Sequence, residues 1–557
     1  MSVFEAHSSR IKRGVITHGS LSKGITMRLD AAEPVESLKA GKFMVIEGEQ
    51  YDFFAMVTDV SLEASNPNIL LNPPESEDTF LREVMRGHST YATIVLKPLL
   101  MMPNRYHADL GAEARRVKTI PAHFSPVAEA DAEDIARIFG NEANLDEQGN
   151  QRFFHVGDPL DMESIPVCVD MNRFVERSNA VFGKTGTGKT FLTRLLLAGT
   201  IKTGRAVNLI FDMHSEYGLN ARQENGPFVK GLRELFPSKV AIFTMDPDST
   251  RLRSGGASAD HDVFIYADQV EPEDILPLRE TLSLNQTAAE SSFLLRQKFG
   301  AFWLRRLLDA DGKEAIAELV EETGANENSI SALRRKLTQL TRFDFFKTES
   351  VRDKKDVVQA LLEHILSGKS VVLEFGQYDS LLAYLFVANV ITRRLRNEYE
   401  KRTNKYLSTR NPVDQPPQLM ITIEEAHKFL KPGIASETPF GTIAREMRKY
   451  FVSLLVVDQR PSAIDEEILS QIGTKMVAQL NDEKDIAAAL VGTGDAAGLR
   501  QVLASLDSKQ QALIMGHAVP MPVVVRSRSY DETFFSAMQP PRSNRYVSIE
   551  DEMQDLF

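Results

Sequence analysis

Apolar and polar positions alternate in short runs over the first hundred residues. GVITHGS, KGITMRL, KFMVIEG and FFAMVTDVSL each read as a strand, separated by Gly, Asn, Pro or charged residues, and YATIVLKPLL follows a short stretch compatible with a helix. Several short strands with turn signals between them predict a small barrel. From 111 to 150 the pattern is mixed. FSPVAEADAEDIARIFG has a helical period and NEANLDEQGN is a polar loop, so this stretch is expected to join two domains. Beyond about residue 165 the order becomes strand, loop, helix, strand: NAVFG, then TGKTFLTRLLLAGTI, then AVNLIFD. That order opens an α/β domain with a parallel sheet. Residues 270–367 read as mostly helical, and SVVLEF, LMITIEE, VSLLVVD, KMVAQL and QALIMG supply further strands, so the helical block is expected as an insertion within one sheet. The expected division is a barrel and linker over 1–150, a motor domain over 151–530, and a polar, Pro-containing tail over 531–557 that is mobile or docks on a partner.

Composition narrows this picture only slightly. At 557 residues, 43% hydrophobic and 25% charged, the chain can bury the cores of two or three domains. Its net charge of -12 argues against a protein coated in nucleic acid, but not against a local basic lining. The single cysteine, Cys168, rules out an intramolecular disulfide and a multi-cysteine metal site. The start, MSVFEAHSSRIKRG, lacks the apolar run of a signal peptide, and no stretch approaches the roughly 20 apolar residues of a membrane span. The expectation is a soluble, cytoplasmic protein.

The strongest chemical signal is GKTGTGKT, residues 183–190, which matches G-x-x-x-x-G-K-[ST] between an apolar strand and a helix. Gly183, Gly186 and Gly188 allow a tight turn whose N–H groups point at phosphate oxygens, with Lys184, Thr185 and Thr187 completing the loop. Lys189 is expected on the β- and γ-phosphates and the Thr190 hydroxyl on Mg²⁺. The chain therefore reads as a P-loop nucleoside triphosphatase with ATP and Mg²⁺ as its ligands. A carboxylate at a neighbouring strand end is also needed, and LMITIEEAHKFL offers two. Glu424 is assigned to the metal and Glu425 to the attacking water as general base. The plainer alternative is that both glutamates simply begin a helix. His427 is read as a packing or hydrogen-bonding residue. The next strand ends in Asp458 and Gln459, which could sense the γ-phosphate or merely form a turn before Pro461. AREMRKYF before it carries Arg445, Arg448 and Lys449, either a solvated helix face or a source of an arginine finger.

Together these segments resemble the HerA group of hexameric DNA translocases, relatives of the FtsK motors. The resemblance runs from about residue 10 to 530. GVITHGS, KAGKFMVIEG and MVTDV are similar to that group's HAS barrel. LIFDMHSEYG resembles its Asp-x-His-x-Glu-Tyr strand end, IEEAHKFL its Asp-Glu-Ala-His segment, and IAREMRKYFVSLLVVDQRPSAID its finger helix and Gln-Arg-Pro sensor strand. QALIMGHAVPMPVVVRSR is similar to the closing strand pair. The resemblance implies a RecA-like P-loop motor behind a small β-barrel. It makes Lys189 and Thr190 the nucleotide and Mg²⁺ residues, Glu425 the base and Gln459 the sensor. Arg448 becomes the trans finger, with Arg445 second; Asp212 lies beside the Mg²⁺ site, and Arg177 contacts a nucleotide across a subunit boundary. One departure is that Glu424 stands where the group has Asp, which shifts the carboxylate by about one bond length.

What the resemblance implies for function is a homohexameric, ATP-driven translocase or helicase on double-stranded DNA. It would work with a separately encoded effector, a NurA-like nuclease or an anti-phage effector such as a sirtuin-like NADase, in DNA end processing or phage defence. The alternative is a hexameric scaffold locked by ATP that assembles an effector without moving on DNA. A conjugation or packaging motor is a third reading. Candidate DNA contacts are Arg334, Arg335 and Lys336 in the insertion, Arg393, Arg394 and Arg396 before the acidic strand, and the 214–223 loop.

Overall fold

The computed structural model describes residues 10–105, 114–160, 162–222, 228–350, 356–493, 496–507 and 510–539. The five expected N-terminal strands form: β1 (Lys12–Ser20), β2 (Gly24–Leu29), β3 (Phe43–Glu47), β4 (Tyr51–Ala64) and β5 (Thr90–Pro103). A sixth, β6 (Pro126–Glu129), lies where the sequence pattern predicts helix. The helix begins later, at Ala132, because Asp131 caps it with its carboxylate while Asp134 reaches back to the Asp131 N–H. Strand β6 pairs with both β1 and β3, and β5 pairs with β2, so the sheet closes in the order β2-β1-β6-β3-β4-β5 with every pairing antiparallel. Closure removes free edges. Inward residues such as Met27, Met44, Ile46, Val57, Ile94, Leu96 and Val127 fill the barrel.

The second domain is built on one large sheet. Its strands are β7 (Phe153–Pro159), β8 (Val167–Asp170), β9 (Asn179–Phe182), β10 (Val207–Asp212), β11 (Val240–Thr244), β12 (Ser370–Glu374), β13 (Leu419–Glu424), β14 (Val452–Asp458), β15 (Thr474–Val477), β16 (Gln511–Gly516) and β17 (Val523–Ser527). They run in the order β11-β12-β10-β13-β14-β9-β15-β16-β17-β7-β8, with the two-residue strand His261–Asp262 on the β11 edge. From β11 to β15 every pairing is parallel, and from β15 onward every pairing is antiparallel. The parallel strands are buried on both faces, which explains their continuous apolar runs. All seven parallel strands point their C-terminal ends the same way. Four neighbours end in an acid: Glu374 on β12, Asp212 on β10, Glu424 on β13 and Asp458 on β14.

Between β11 and β12 lies the helical block, with helices at Gln286–Phe299, Trp303–Asp309, Gly312–Thr323, Glu327–Leu337 and Val357–Leu366. Trp303 is fully buried at its centre and donates from Nε1 to the Val270 carbonyl at 2.8 Å. The expected polar tail needs correcting at its start. Glu532–Met538 is a helix whose Phe534, Phe535 and Met538 are buried in the core beneath the phosphate-loop helix. Three apolar residues in one short segment outweigh its polar neighbours. The rest of the tail, from 540, lies outside the described residues.

The barrel is tied to the helix after it by a buried ion network. The Arg10 guanidinium donates to Asp134 at 2.7 and 2.9 Å and to Asp52 at 2.8 Å, and Arg105 also reaches Asp134 at 2.8 Å. Removing one member of a buried network strands the others without a counter-ion. Arg10→Met is therefore expected to lower stability by about 3 kcal/mol in urea unfolding. A loss below about 1 kcal/mol, the value of an exposed pair, would contradict this reading of the network.

Candidate functional site

The phosphate loop leaves β9 at the acidic end of the sheet. Gly186 and Gly188 have φ of +79° and +93°, a left-handed backbone that side chains disfavour, which is why the loop needs glycine at these positions. The loop is anchored by Gly183 N–H to the Asp458 carbonyl, Lys184 N–H to the Gln479 carbonyl, and the Thr187 hydroxyl to the Lys184 carbonyl at 2.7 Å. Helix Lys189–Thr203 starts at Gly188 with no side-chain cap, so its first-turn N–H groups face the loop. Burial lowers the pKa of the Lys189 ammonium, while Glu425, Asp458, Glu424 and Glu216 pull it back up. Those four carboxylates define the field around it.

The two strand-end glutamates point to different partners. Glu424 is buried, and burial, reinforced by Asp212 and Glu216, pushes its carboxyl up to about 8. Its Oε1 accepts the Tyr217 hydroxyl at 2.8 Å, and its Oε2 has no hydrogen-bond partner. Glu425 follows with φ +47°, a strained conformation for a side chain with a β-carbon, of the kind that collects at functional sites. The turn sends its carboxylate out of the strand direction, where Gln459 Nε2 donates to Oε1 at 3.0 Å. Gln459 Oε1 in turn accepts from the Thr185 hydroxyl at 2.6 Å. A continuous chain of hydrogen bonds thus links phosphate loop, Gln459 and Glu425.

The Asp458 carboxylate is engaged by residues outside the loop. It accepts the His427 N–H at 2.7 Å, His427 Nδ1 at 2.9 Å and the Arg460 N–H at 2.7 Å. His427 is thus a hydrogen-bonding residue, in accord with the reading of the sequence. Asp212 is fully buried and accepts the N–H groups of Glu216 and Tyr217 at 2.8 Å each and of Gly218 at 3.3 Å. Its carboxylate organises the loop after β10. The residue that reaches the Thr190 hydroxyl is Glu216, at 2.9 Å. The motifs assign Glu216 no role; the signal for it in the sequence is its position four residues past a strand-end Asp.

The arginines lie elsewhere. Arg448 precedes β14, and β14 runs parallel to β9 toward the phosphate loop. At about 3.3 Å per residue the far end of β14 is some 20 Å from its acidic end. Arg448 is 61% exposed there, 3.7 Å from Glu176. Arg177, also exposed, precedes β9 at the same end. Arg445 lies 3.4 Å from Glu467. Within one chain the structure thus brings together Lys189, Thr190, Glu424, Glu425, Gln459 and Thr185, and holds Arg177 and Arg448 apart from them. Two expected DNA contacts are spent internally. Arg393 grips the buried Asp274 at 2.7 and 2.8 Å, and Arg394 grips Asp356 at 3.0 and 2.5 Å, both fastening the long helix Leu381–Thr409 to elements of the insertion. Arg396 lies 3.7 Å from Glu400 and Arg334 3.1 Å from Asp311, leaving Arg335 as the exposed cation of its group.

Comparison with known proteins bears on the family and the fold. Residues 154–395 match the family described as helicase HerA, central domain. The DNA double-strand break repair helicase HerA of Pyrococcus furiosus is 24% identical over 425 residues, 72% of each chain. Its namesake from Sulfolobus acidocaldarius is 22% identical over 534 residues, 93% of this chain and 94% of its own. Among solved structures, the bacterial conjugative coupling protein TrwBΔN70 overlays 74% of this chain and 94% of its own at a TM-score of 0.46 and 12% identity, too distant to carry function. The resemblance read from the motifs is met by the match over residues 154–395, and the chain is a P-loop ATPase. Among the described residues no helix is long and apolar enough to cross a membrane.

The His427–Asp458 pair makes stability at this site depend on pH. Hydrogen bonding to Asp458 raises the His427 pKa, so that contribution is complete below the unfolded histidine value of about 6.5 and fades as pH rises through the folded one. Asp458 is held below its ordinary value despite burial, so its share is present above about 3.9 and fades in acid. The stability gap between wild type and His427→Ala, measured by thermal unfolding, is expected to be widest near pH 5–6 and to narrow toward pH 9. A gap that widens with pH would contradict the pairing.

Proposed function

We propose that this chain is an ATP-driven DNA translocase or helicase that works as a ring of six, with ATP held between subunits and hydrolysis completed by an arginine from the neighbour. What supports the proposal is a separation along the sheet: Glu425, Gln459 and the phosphate loop lie at one end, and Arg448 and Arg177 are exposed at the other. A ring in which the arginine end of one subunit meets the loop end of the next would join the halves. The HerA relatives, described as DNA double-strand break repair helicases, supply the polymer. A separately encoded effector, a NurA-like nuclease or an anti-phage enzyme, belongs to the same proposal.

In this reading Lys189 and the loop N–H groups take the β- and γ-phosphates. Glu425 accepts a proton from the water that attacks the γ-phosphorus, and the bond to the ADP oxygen breaks. Gln459, bonded at once to Glu425 and to Thr185, registers whether the γ-phosphate is present. Mg²⁺ fits the residues here. Among the described residues no three His, Cys, Asp or Glu gather as a metal cage, but Mg²⁺ on a triphosphate needs only one or two protein oxygens. The Thr190 hydroxyl offers a hard oxygen donor with Glu216 bonded to it, while Glu424, expected at the metal, is buried behind them with its Oε2 unpartnered. When bound, Mg²⁺ would neutralise charge developing on the phosphate oxygens. Arg448, with Arg445 second and Arg177 assisting, would do the same from the neighbouring subunit.

Lys189→Ala is expected to abolish productive ATP binding. Glu425→Gln should bind ATP and hydrolyse it at least about 100-fold more slowly, as measured by phosphate release; turnover near the wild-type rate would move the base elsewhere, first to Glu424. Mixing Arg448→Ala chains with Glu425→Gln chains should restore activity at interfaces that combine two intact halves, and no recovery at any ratio would contradict the trans finger.

Duplex DNA should stimulate the ATPase, with binding that falls about linearly in log–log terms with salt. Neutralising Arg335 and Lys336 should lower that slope more than neutralising Arg393 and Arg394 in any variant that stays folded. If DNA neither binds nor stimulates, the ATP-locked scaffold replaces the translocase.

A further inference from the structure

We infer that Glu216, which lies outside both nucleotide motifs, is the carboxylate that positions the Mg²⁺-binding hydroxyl of Thr190; this rests on the ATPase reading above. A hydroxyl that offers a lone pair to a metal must direct its proton elsewhere, and an ionised carboxylate is the strongest acceptor for it. In P-loop enzymes an acid at the end of a neighbouring strand accompanies the Ser or Thr at Mg²⁺. By sequence that acid is Glu424. In the fold, Thr190 Oγ1 donates to Glu216 Oε2 at 2.9 Å. Glu424 is sealed in the core, its Oε1 engaged by the Tyr217 hydroxyl and its backbone carbonyl by the Tyr384 hydroxyl at 3.2 Å.

Glu216 is held as a built part of the site. Its N–H is fixed by Asp212 Oδ1 at 2.8 Å, and its carbonyl accepts two nitrogens of the Arg194 guanidinium, Nε at 2.9 Å. Arg194 stands one helical turn after Thr190, so the phosphate-loop helix meets Glu216 at both its carboxylate and its carbonyl. Ser215 takes φ +55°, which turns the chain sharply just before Glu216. Glu216 is half-buried and borders the loop, whereas Glu424 lies behind it and acts through Tyr217. The loop after β10 is thus an arm that brings an acid to the metal side of the nucleotide, with Asp212 as its hinge pin.

The test is equilibrium binding of methylanthraniloyl-ATP to the full chain, in excess EDTA and across a Mg²⁺ series, with circular dichroism as the folding control. Glu216→Gln should bind the analogue in EDTA like wild type but need about 10–100-fold more Mg²⁺ for half-maximal tightening, the usual effect of losing a partner behind a metal ligand. Glu216→Asp, which keeps the charge on a shorter arm, should recover part of the response. If Glu216→Gln does not fold, Glu216→Asp carries the test with a smaller shift in the same direction. A Mg²⁺ midpoint within about twofold of wild type in the folded variants, with nucleotide binding still lost in Lys189→Ala, overturns this inference alone. A wild type that binds no nucleotide overturns the ATPase reading and this inference with it.

Discussion

At the end of β10 a carboxylate is buried completely, and the geometry of the whole nucleotide site follows from how it is satisfied. A carboxyl group in the interior is tolerated only when its oxygens are hydrogen-bonded, and burial raises the Asp212 pKa against the N–H groups that lower it. Asp212 meets that condition with three successive backbone N–H groups, those of Glu216, Tyr217 and Gly218. To present three N–H groups to one carboxylate the chain must fold back at once after the strand. That turn puts Glu216 against Thr190 and the Tyr217 hydroxyl against Glu424. One buried acid therefore fixes the phosphate-loop helix and the neighbouring acidic strand relative to each other.

The second constraint is charge. Strand-end acids on four adjacent strands, with Glu216 and Glu425 nearby, would repel a triphosphate if all were ionised. Burial offsets this by raising Glu374 to about 7 and Glu424 to about 8, which removes much of their negative charge near neutral pH. Asp458 keeps its charge but spends it on His427. Glu425 and Glu216 remain as the acids that border the loop, and these are the two given chemical roles here. The exposed Arg448 and Arg177 lie at the other end of the sheet, so in the proposed ring charge compensation and assembly become one problem.

Much of this was legible in the sequence, and the reasons can be traced to particular residues. Strands β9, β10, β13 and β14 are apolar runs buried on both faces, ending in Asp or Glu or followed at once by Gly183, and such runs announce themselves. The phosphate loop is readable because only glycine suits the backbone at 186 and 188. Strand β6 was not readable, because four residues, PVAE, carry too little pattern to stand against the helical period that follows. The helix at 532–538 was hidden by its polar neighbours, although Phe534 and Phe535 are the residues that bury it. The fate of Arg393 and Arg394 depended on Asp274 and Asp356, 119 and 38 residues away, which no local pattern reports. Glu216 was overlooked for the same reason: its partner Thr190 is 26 residues distant and the contact exists only once Asp212 has turned the chain.

In the proposed ring one chain holds an incomplete ATPase site and a neighbour completes it. The decisive measurement is ATP turnover per chain as the protein is diluted, with the oligomer distribution followed at each concentration by mass photometry. Turnover per chain is expected to fall in step with the fraction of chains in rings, reaching background when only monomers remain. Full turnover per chain in a monomeric population would contradict it.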